Sequence, residues 1–262
     1  MKPTTRRTAL VAGLALLAAC AQVSLQDETV TALRIEGPVD LVLDTGAAES
    51  AQREQLKGLR RAREGNTLVL SADPGQRGRL SARLPLPARL SRLSIAGGAD
   101  VTLPELQAEL ISLELSGSGR LSLDRLRARQ LLIDISGSGD LRLGRVEVGE
   151  RAEAKLGGSG DLHIERLRAP HWQASLHGSG RVHAAGWAAQ QQWRISGSGG
   201  VHAGALDGQH LELACWGSGD SQLGRSERLL LRLYGSGDVV YAGEPVLQLR
   251  QLGSGGARSR GS

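Results

Sequence analysis

The sequence predicts an all-β protein: a right-handed single-stranded parallel β-helix, a solenoid of coils about 20 residues long. Three observations carry this expectation. Gly-Ser-Gly recurs with central serines at Ser118, Ser138, Ser159, Ser179, Ser198, Ser218, Ser236 and Ser254, spaced 20, 21, 20, 19, 20, 18 and 18 residues apart. The segments between these serines repeat one apolar pattern in register, which flexible Gly/Ser linkers would not do. Phe is absent and Leu dominates, so the core must be thin and filled by stacked aliphatic side chains.

The strands follow from the pattern. Counted from each central serine, positions +3 and +5 are apolar, as in Leu121 and Leu123, Leu141 and Leu143, or Leu162 and Ile164. Positions −7, −5 and −3 repeat this, as in Ile111, Leu113 and Leu115, or Leu131, Ile133 and Ile135. A third inward set lies near +8, with Leu106, Leu126, Val146, Leu167, Trp187 and Leu206. Alternation with period two marks a strand with one buried face. Three short strands separated by turns close one coil, and stacked coils align like positions at about 4.8 Å. Glycine suits a corner where the chain turns sharply and successive coils approach closely. The serine between the glycines can hydrogen-bond to its copies on neighbouring coils. A leucine-rich repeat has a similar period but needs an asparagine ladder, and Asn66 is the only Asn in the chain.

Before Gly97 the register weakens. Val30 to Leu43, Leu68 to Ser71 and Leu80 to Leu84 read as strands, Glu49 to Arg63 as a polar loop or short helix, and Leu84-Pro85-Leu86-Pro87 as an edge or turn. This part is expected to form an irregular N-terminal capping region of the same domain, which spans residues 30–256. Residues 257–262 are expected to be a disordered tail.

The first 19 residues have the form of an export signal. Lys2, Arg6 and Arg7 precede an uncharged run from Ala9 to Ala19, too short to span a bilayer. Leu17-Ala18-Ala19-Cys20 resembles the bacterial lipobox, in which the cysteine is acylated and becomes the new N-terminus. Residues 20–29 would then be an anchor and linker. The alternative is an ordinary signal peptide in which Cys20 is incidental; Thr5-Arg6-Arg7 is a poor match to a twin-arginine signal. Ala21 after the cysteine points to the outer membrane. Loss of residues 1–19 leaves 29 basic and 27 acidic residues, a net charge of +2. The basic character of the full chain is therefore no argument for nucleic acid, and no basic block with interleaved aromatics occurs. With Cys20 acylated, Cys215 has no partner for a disulfide.

Several segments together resemble one known family: Leu33-Arg34-Ile35-Glu36-Gly37, the Pro-Leu-Pro segment leading into Ile95-Ala96-Gly97-Gly98-Ala99-Asp100, and repeats such as Ser136-Gly137-Ser138-Gly139-Asp140. This is the GIN domain family, named for autotransporter adhesin heads, and the likeness covers roughly residues 30–256. It implies secreted or lipid-anchored β-helical proteins, with adhesion as their proposed role.

Candidate chemistry lies on outward positions. Position +2, counted in the first coil from Gly98, holds Asp100, Arg120, Asp140, Asp161, Arg181, Gly200, Asp220 or Asp238. Mixed signs read as a partly compensated ladder, since stacked like charges repel; the pairs Asp140/Asp161 and Asp220/Asp238 are the places a cation could sit. His163, His183 and His202 share position +4 and should stack outward, either as a solvated stripe or as a transition-metal grip; no carboxylate partner is fixed by the pattern. Cys215 occupies an inward position and reads as a buried small apolar residue. Trp216 and Tyr234 share position −2 and offer an exposed aromatic platform for a ligand. No catalytic constellation, nucleophile elbow, phosphate loop or zinc motif is present. The leading expectation is a non-enzymatic, envelope-anchored binding or adhesion module without cofactor or metal, held at the membrane by its lipid. Its partner would be an envelope glycan or protein. A β-helix carbohydrate-active enzyme and a structural spacer are the alternatives.

Cys20→Ser should release the protein from membranes, because acyl chains on that sulfur are its expected anchor. Metabolic palmitate labelling and fractionation of both forms check this; equal membrane retention with an unlabelled wild type would refute it.

Overall fold

The computed structural model describes residues 29–44, 58–73 and 78–261. The segment expected to be an export signal, Cys20 and most of the expected linker lie outside the described residues. What is described is all-β and folds as a parallel solenoid of about eight turns, each close to 20 residues.

The regular part begins with five long strands, β7 (Asp100–Gly117), β8 (Arg120–Ile135), β9 (Asp140–Gly158), β10 (Leu162–Gly178) and β11 (Val182–Gly197). Each pairs in parallel with the next, so Leu121 lies on Leu141 and Leu141 on Leu162. Three short strands per coil were expected; instead each of these strands runs from one Gly-Ser-Gly corner to the next, with local register shifts such as those after Ala128, Ile164 and Arg168. Later coils divide into β12 (Val201–Asp207), β13 (His210–Cys215), β14 (Ser221–Arg225), β15 (Arg228–Leu233), β16 (Val239–Ala242), β17 (Val246–Gln251) and β18 (Ala257–Ser259).

The corners explain the glycines. A Cβ on Gly119 would sit 2.0 Å from the carbonyl oxygen of Ala99, and one on Gly137 would sit 2.2 Å from that of Gly117. Backbone therefore packs on backbone, and the Ser138 amide donates to the Gly117 carbonyl at 2.8 Å. The aspartates after the glycines complete the corner. Asp100 accepts from the Arg120 amide at 2.9 Å, Asp161 from the Arg181 amide at 2.8 Å, and Asp238 from the Gly256 amide at 2.8 Å. Each carboxylate thus satisfies a backbone donor of the following coil. The serines contribute less: Ser218 Oγ donates to Ser198 Oγ at 3.4 Å, the one such bond among the described residues.

The inward ladders are buried as their period requires, for example Leu113, Ile133, Leu213 and Leu231. The two large core residues sit where neighbours are small. Trp172 follows Ala152 in the −7 ladder and Trp193 follows Ala174 in the −5 ladder. The two indoles meet edge to face with centroids 5.7 Å apart, which keeps the local volume nearly constant. Gln191, the next −7 residue, is buried as well. It accepts from Trp193 Nε1 at 3.2 Å and donates to the Leu206 carbonyl at 3.2 Å, so its amide is paired.

The N-terminal part departs from a simple irregular cap. Here β1 (Ala32–Glu36) and β2 (Val39–Asp44) form one coil, and β4 (Thr67–Ala72) and β5 (Leu80–Pro85) another. β1 lies between β4 and β6 (Arg92–Gly97), and β2 lies between β5 and β7. The first coil in sequence is thus the second in space. Leu59–Glu64, overlapping the end of the segment expected as loop or helix, is strand β3, antiparallel to β4 at the outer edge. Its Leu-Arg-Arg-Ala-Arg-Glu sequence charges that edge, a common safeguard against further strand pairing. At the other end, the residues expected as a disordered tail carry β18, paired with β16, and Arg260 donates its amide to the Tyr241 carbonyl at 2.8 Å.

Gly119→Ala should destabilise the fold by more than about 2 kcal/mol, because its Cβ meets a carbonyl that the ladder holds in place. Gly149→Ala, whose added Cβ finds nothing nearer than 3.8 Å, should change stability by less than about 1 kcal/mol. Thermal melts of the two variants check this; equal losses would contradict the close approach.

Candidate binding surface

Because the inner face of every coil is filled, function has only the outward ladders to use. Trp216 and Tyr234 project outward because they follow the buried Cys215 and Leu233. Their rings are parallel within 8°, with centroids 5.4 Å apart, and Trp216 is 52% exposed. The structure therefore brings the two expected residues together, but with a geometric consequence. Each ring covers part of the other, so the pair presents its edges and the far face of Trp216. On that side the next residue of the ladder is Ser196, too small to cover an indole. Beyond Tyr234 the ladder continues with the exposed Leu252.

The three histidines also stack. His163 and His183 have ring centroids 5.7 Å apart, and His183 and His202 are 4.6 Å apart and nearly parallel. Burial first, then its two histidine neighbours, hold the His183 imidazole below the usual range, with Arg181 adding to this and Asp161 opposing it. Stacking directs ring faces rather than nitrogens at one another, and among the described residues no three His, Cys, Asp or Glu side chains converge as metal ligands do. The aspartate pairs bond to backbone instead: Asp140 accepts from the Asp161 amide at 3.4 Å and Asp220 from the Asp238 amide at 2.9 Å. Cys215 is buried, with Sγ 4.0 Å from the Gly217 carbonyl.

Trp187, expected in the core, is instead 44% exposed. The interval from Ser179 to Ser198 is one residue shorter than the one before. That missing residue is absorbed between Ile164 and Leu167, so Gly186 takes the inward place opposite Leu167 and Trp187 falls opposite Arg168. A Cβ on Gly186 would lie 2.2 Å from the Leu167 carbonyl, so the inward place there cannot hold a larger residue.

A second feature escaped the sequence reading. At position +7 the register aligns Arg125, Arg145 and Arg166 on three consecutive coils. They line a lateral groove of 650 Å³ with Arg142, Asp124 and Glu165. Beside it runs a groove of 890 Å³ that contains Arg168 and Trp187. The signal is present in the sequence as arginine at position +7 of three consecutive coils.

A β-solenoid with a filled interior, polar outer ladders, exposed aromatics and shallow lateral grooves defines a surface-recognition module. The chain belongs to the family described as "Putative auto-transporter adhesin, head GIN domain", whose model matches residues 30–148 and 145–245. It shares its fold with a putative adhesin from Parabacteroides distasonis, at 15% identity and a TM-score of 0.59, covering 87% of this chain and 92% of that one. A putative lipid binding protein from Parabacteroides distasonis gives 17% identity and a TM-score of 0.59, covering 88% and 93%. A putative adhesin from Parabacteroides merdae gives 15% and 0.57, covering 87% and 91%. No curated protein sequence matches the chain.

The lowered His183 value has a stability consequence. A histidine held neutral in the fold loses nothing above its ordinary value of 6.5. As pH falls below that, the unfolded chain takes up a proton that the folded chain resists, so stability declines until the folded value is reached. The melting temperature should therefore fall on acidification below that pH, and His183→Gln should flatten part of the fall. An unchanged pH profile in the variant would refute this.

Proposed function

We propose that the chain is a non-enzymatic binding module of adhesin type, anchored to the cell envelope by lipid on Cys20, probing an envelope glycan or protein with its lateral surface. The observation that carries this reading is the exposed, stacked pair Trp216 and Tyr234. Stacking fixes both side chains before any ligand arrives, so little rotamer freedom is lost on contact, and rigid aromatics give large contact area. The open flank of Trp216 above Ser196 is the place where a sugar ring or an apolar side chain would be received. The adhesin name of the family supports binding over catalysis, and the lipobox-like Leu17-Ala18-Ala19-Cys20 supports anchoring at the outer membrane. The histidine ladder and the corner aspartates serve stacking and backbone hydrogen bonds in this reading, and no metal or cofactor enters it.

A binding screen of glycans and envelope proteins against the full chain should give a specific ligand. Trp216→Ala with Tyr234→Ala should then weaken binding by about tenfold or more, with an unchanged β-rich circular dichroism spectrum. Unaltered affinity in the double variant would remove this site. Turnover of a polysaccharide that is lost in His183→Ala would replace the binding reading by an enzymatic one.

A further inference from the structure

The arginine ladder is the charged feature that neither the fold nor the aromatic pair accounts for. On neighbouring outer ladders of the same coils, arginines meet carboxylates. Arg120 pairs with Asp140 at 3.6 Å, Arg127 with Glu147 at 3.1 Å, and Arg129 with Glu150 at 2.6 Å. Opposite charges there face one another across neighbouring coils, which offsets the repulsion of like charges stacked at about 4.8 Å. Position +7 breaks that rule. Arg125, Arg145 and Arg166 follow one another, all three are exposed, and none forms an ion pair among the described residues. Arg142 in the same groove and Arg168 in the adjoining one are likewise without carboxylate partners among the described residues. A run of cations that stacks with its own charge and lacks internal partners does nothing for the stability of the free protein.

The surroundings select the kind of anion. Between Arg125 and Arg166, the middle coil carries Gly144, whose Cβ would meet the Asp124 carbonyl oxygen at 2.5 Å. The surface is therefore notched there, with Asp124 and Glu165 on the coils to either side. One coil beyond Arg168 stands the exposed Trp187. The strip thus combines three elements: guanidinium donors at a regular interval, carboxylate acceptors beside the first and the third of them, and an indole at one end. Guanidinium groups fit carboxylates in a bidentate manner. Asp124 and Glu165 would repel any anionic group set against them but accept hydrogen bonds from hydroxyls, so the strip favours a ligand that carries both hydroxyls and separated acids over a phosphodiester chain or a headgroup layer. An indole offers a face to the C–H side of a sugar ring. A coil spacing of about 4.8 Å is close to the length of one pyranose unit in an extended chain; successive units turn about the chain axis, so acids facing the ladder recur at intervals of whole coils, as its arginines do.

We infer that Arg125, Arg145 and Arg166, with Trp187 at the end of the strip, form a track for an acidic polysaccharide of uronate type running along the solenoid axis. This site lies on other coils and another ladder than Trp216 and Tyr234, so the two stand or fall separately.

The test is a titration of the detergent-solubilised full chain with an oligogalacturonate, its methyl-esterified form, single-stranded DNA and anionic phospholipid vesicles. The track predicts salt-sensitive binding to the free acid and none to the ester, with DNA and vesicles much weaker. Arg125→Gln with Arg145→Gln and Arg166→Gln should lower the affinity by about tenfold or more and leave the melting temperature unchanged, since all three residues are exposed. Trp187→Ala should also weaken binding, while the Trp216→Ala, Tyr234→Ala double variant should bind the acid as wild type does. Undiminished binding in the arginine variant would overturn the proposal, as would loss in the aromatic double variant or equal binding of ester and acid. A preference for DNA or vesicles would overturn the polysaccharide assignment.

Discussion

The structure depends on coils approaching one another at their corners until backbone touches backbone. A carbonyl oxygen of one coil lies where the next coil would put a Cβ, and hydrogen bonds hold the two at that distance. This single constraint accounts for the glycines, for their recurrence close to every 20 residues, and for the carboxylates that follow them. The aspartates are side chains that reach across a corner to a backbone amide of the next coil. Their charge is used locally, on backbone donors. A row of acidic residues along a β-solenoid invites comparison with a cation site, and here the hydrogen bonds give a different account of it.

A filled interior restricts what evolution can vary. Inward residues trade volume with their neighbours, as the two core tryptophans do with nearby alanines, and the buried glutamine persists only because its amide is paired on both sides. Outward residues are free of that demand, and they stack on their own copies at a fixed spacing. The outer surface is therefore a set of parallel stripes, each with its own chemistry: compensated charge, imidazole, aromatic ring or unpaired guanidinium. Recognition by such a surface is a matter of matching a stripe in pitch and in charge.

Much of this was legible in the sequence, because it is periodic. The serine intervals gave the coil length, and alternation gave the inner ladders and the adjacency of Trp216 and Tyr234. What failed did so for identifiable reasons. Trp187 was assigned to the core by counting from a serine, yet one residue is missing upstream and the strand corrects its register before Leu167. Arg125, Arg145 and Arg166 were each visible, but an unpaired ladder shows only when coils are compared at a position carrying no apolar signal. The placement of β1 between β4 and β6 was beyond any local pattern, since it joins segments tens of residues apart. The strand at Leu59–Glu64 lacks an alternating apolar face because its partner supplies hydrogen bonds along one edge and solvent covers the rest.

That placement bears on how the chain acquires its structure during synthesis. In a solenoid wound in chain order, each coil can settle on its predecessor as it emerges. Here the earliest strand has no neighbour on either side until Thr67–Ala72 and Arg92–Gly97 have been made. The β3–β4 hairpin can form locally, but roughly the first third of the polypeptide must be made before β1 is flanked on both sides, and that closure joins distant segments, which slows folding. The winding of the N-terminal coils then acts as a timer on folding, set by the chain's own topology.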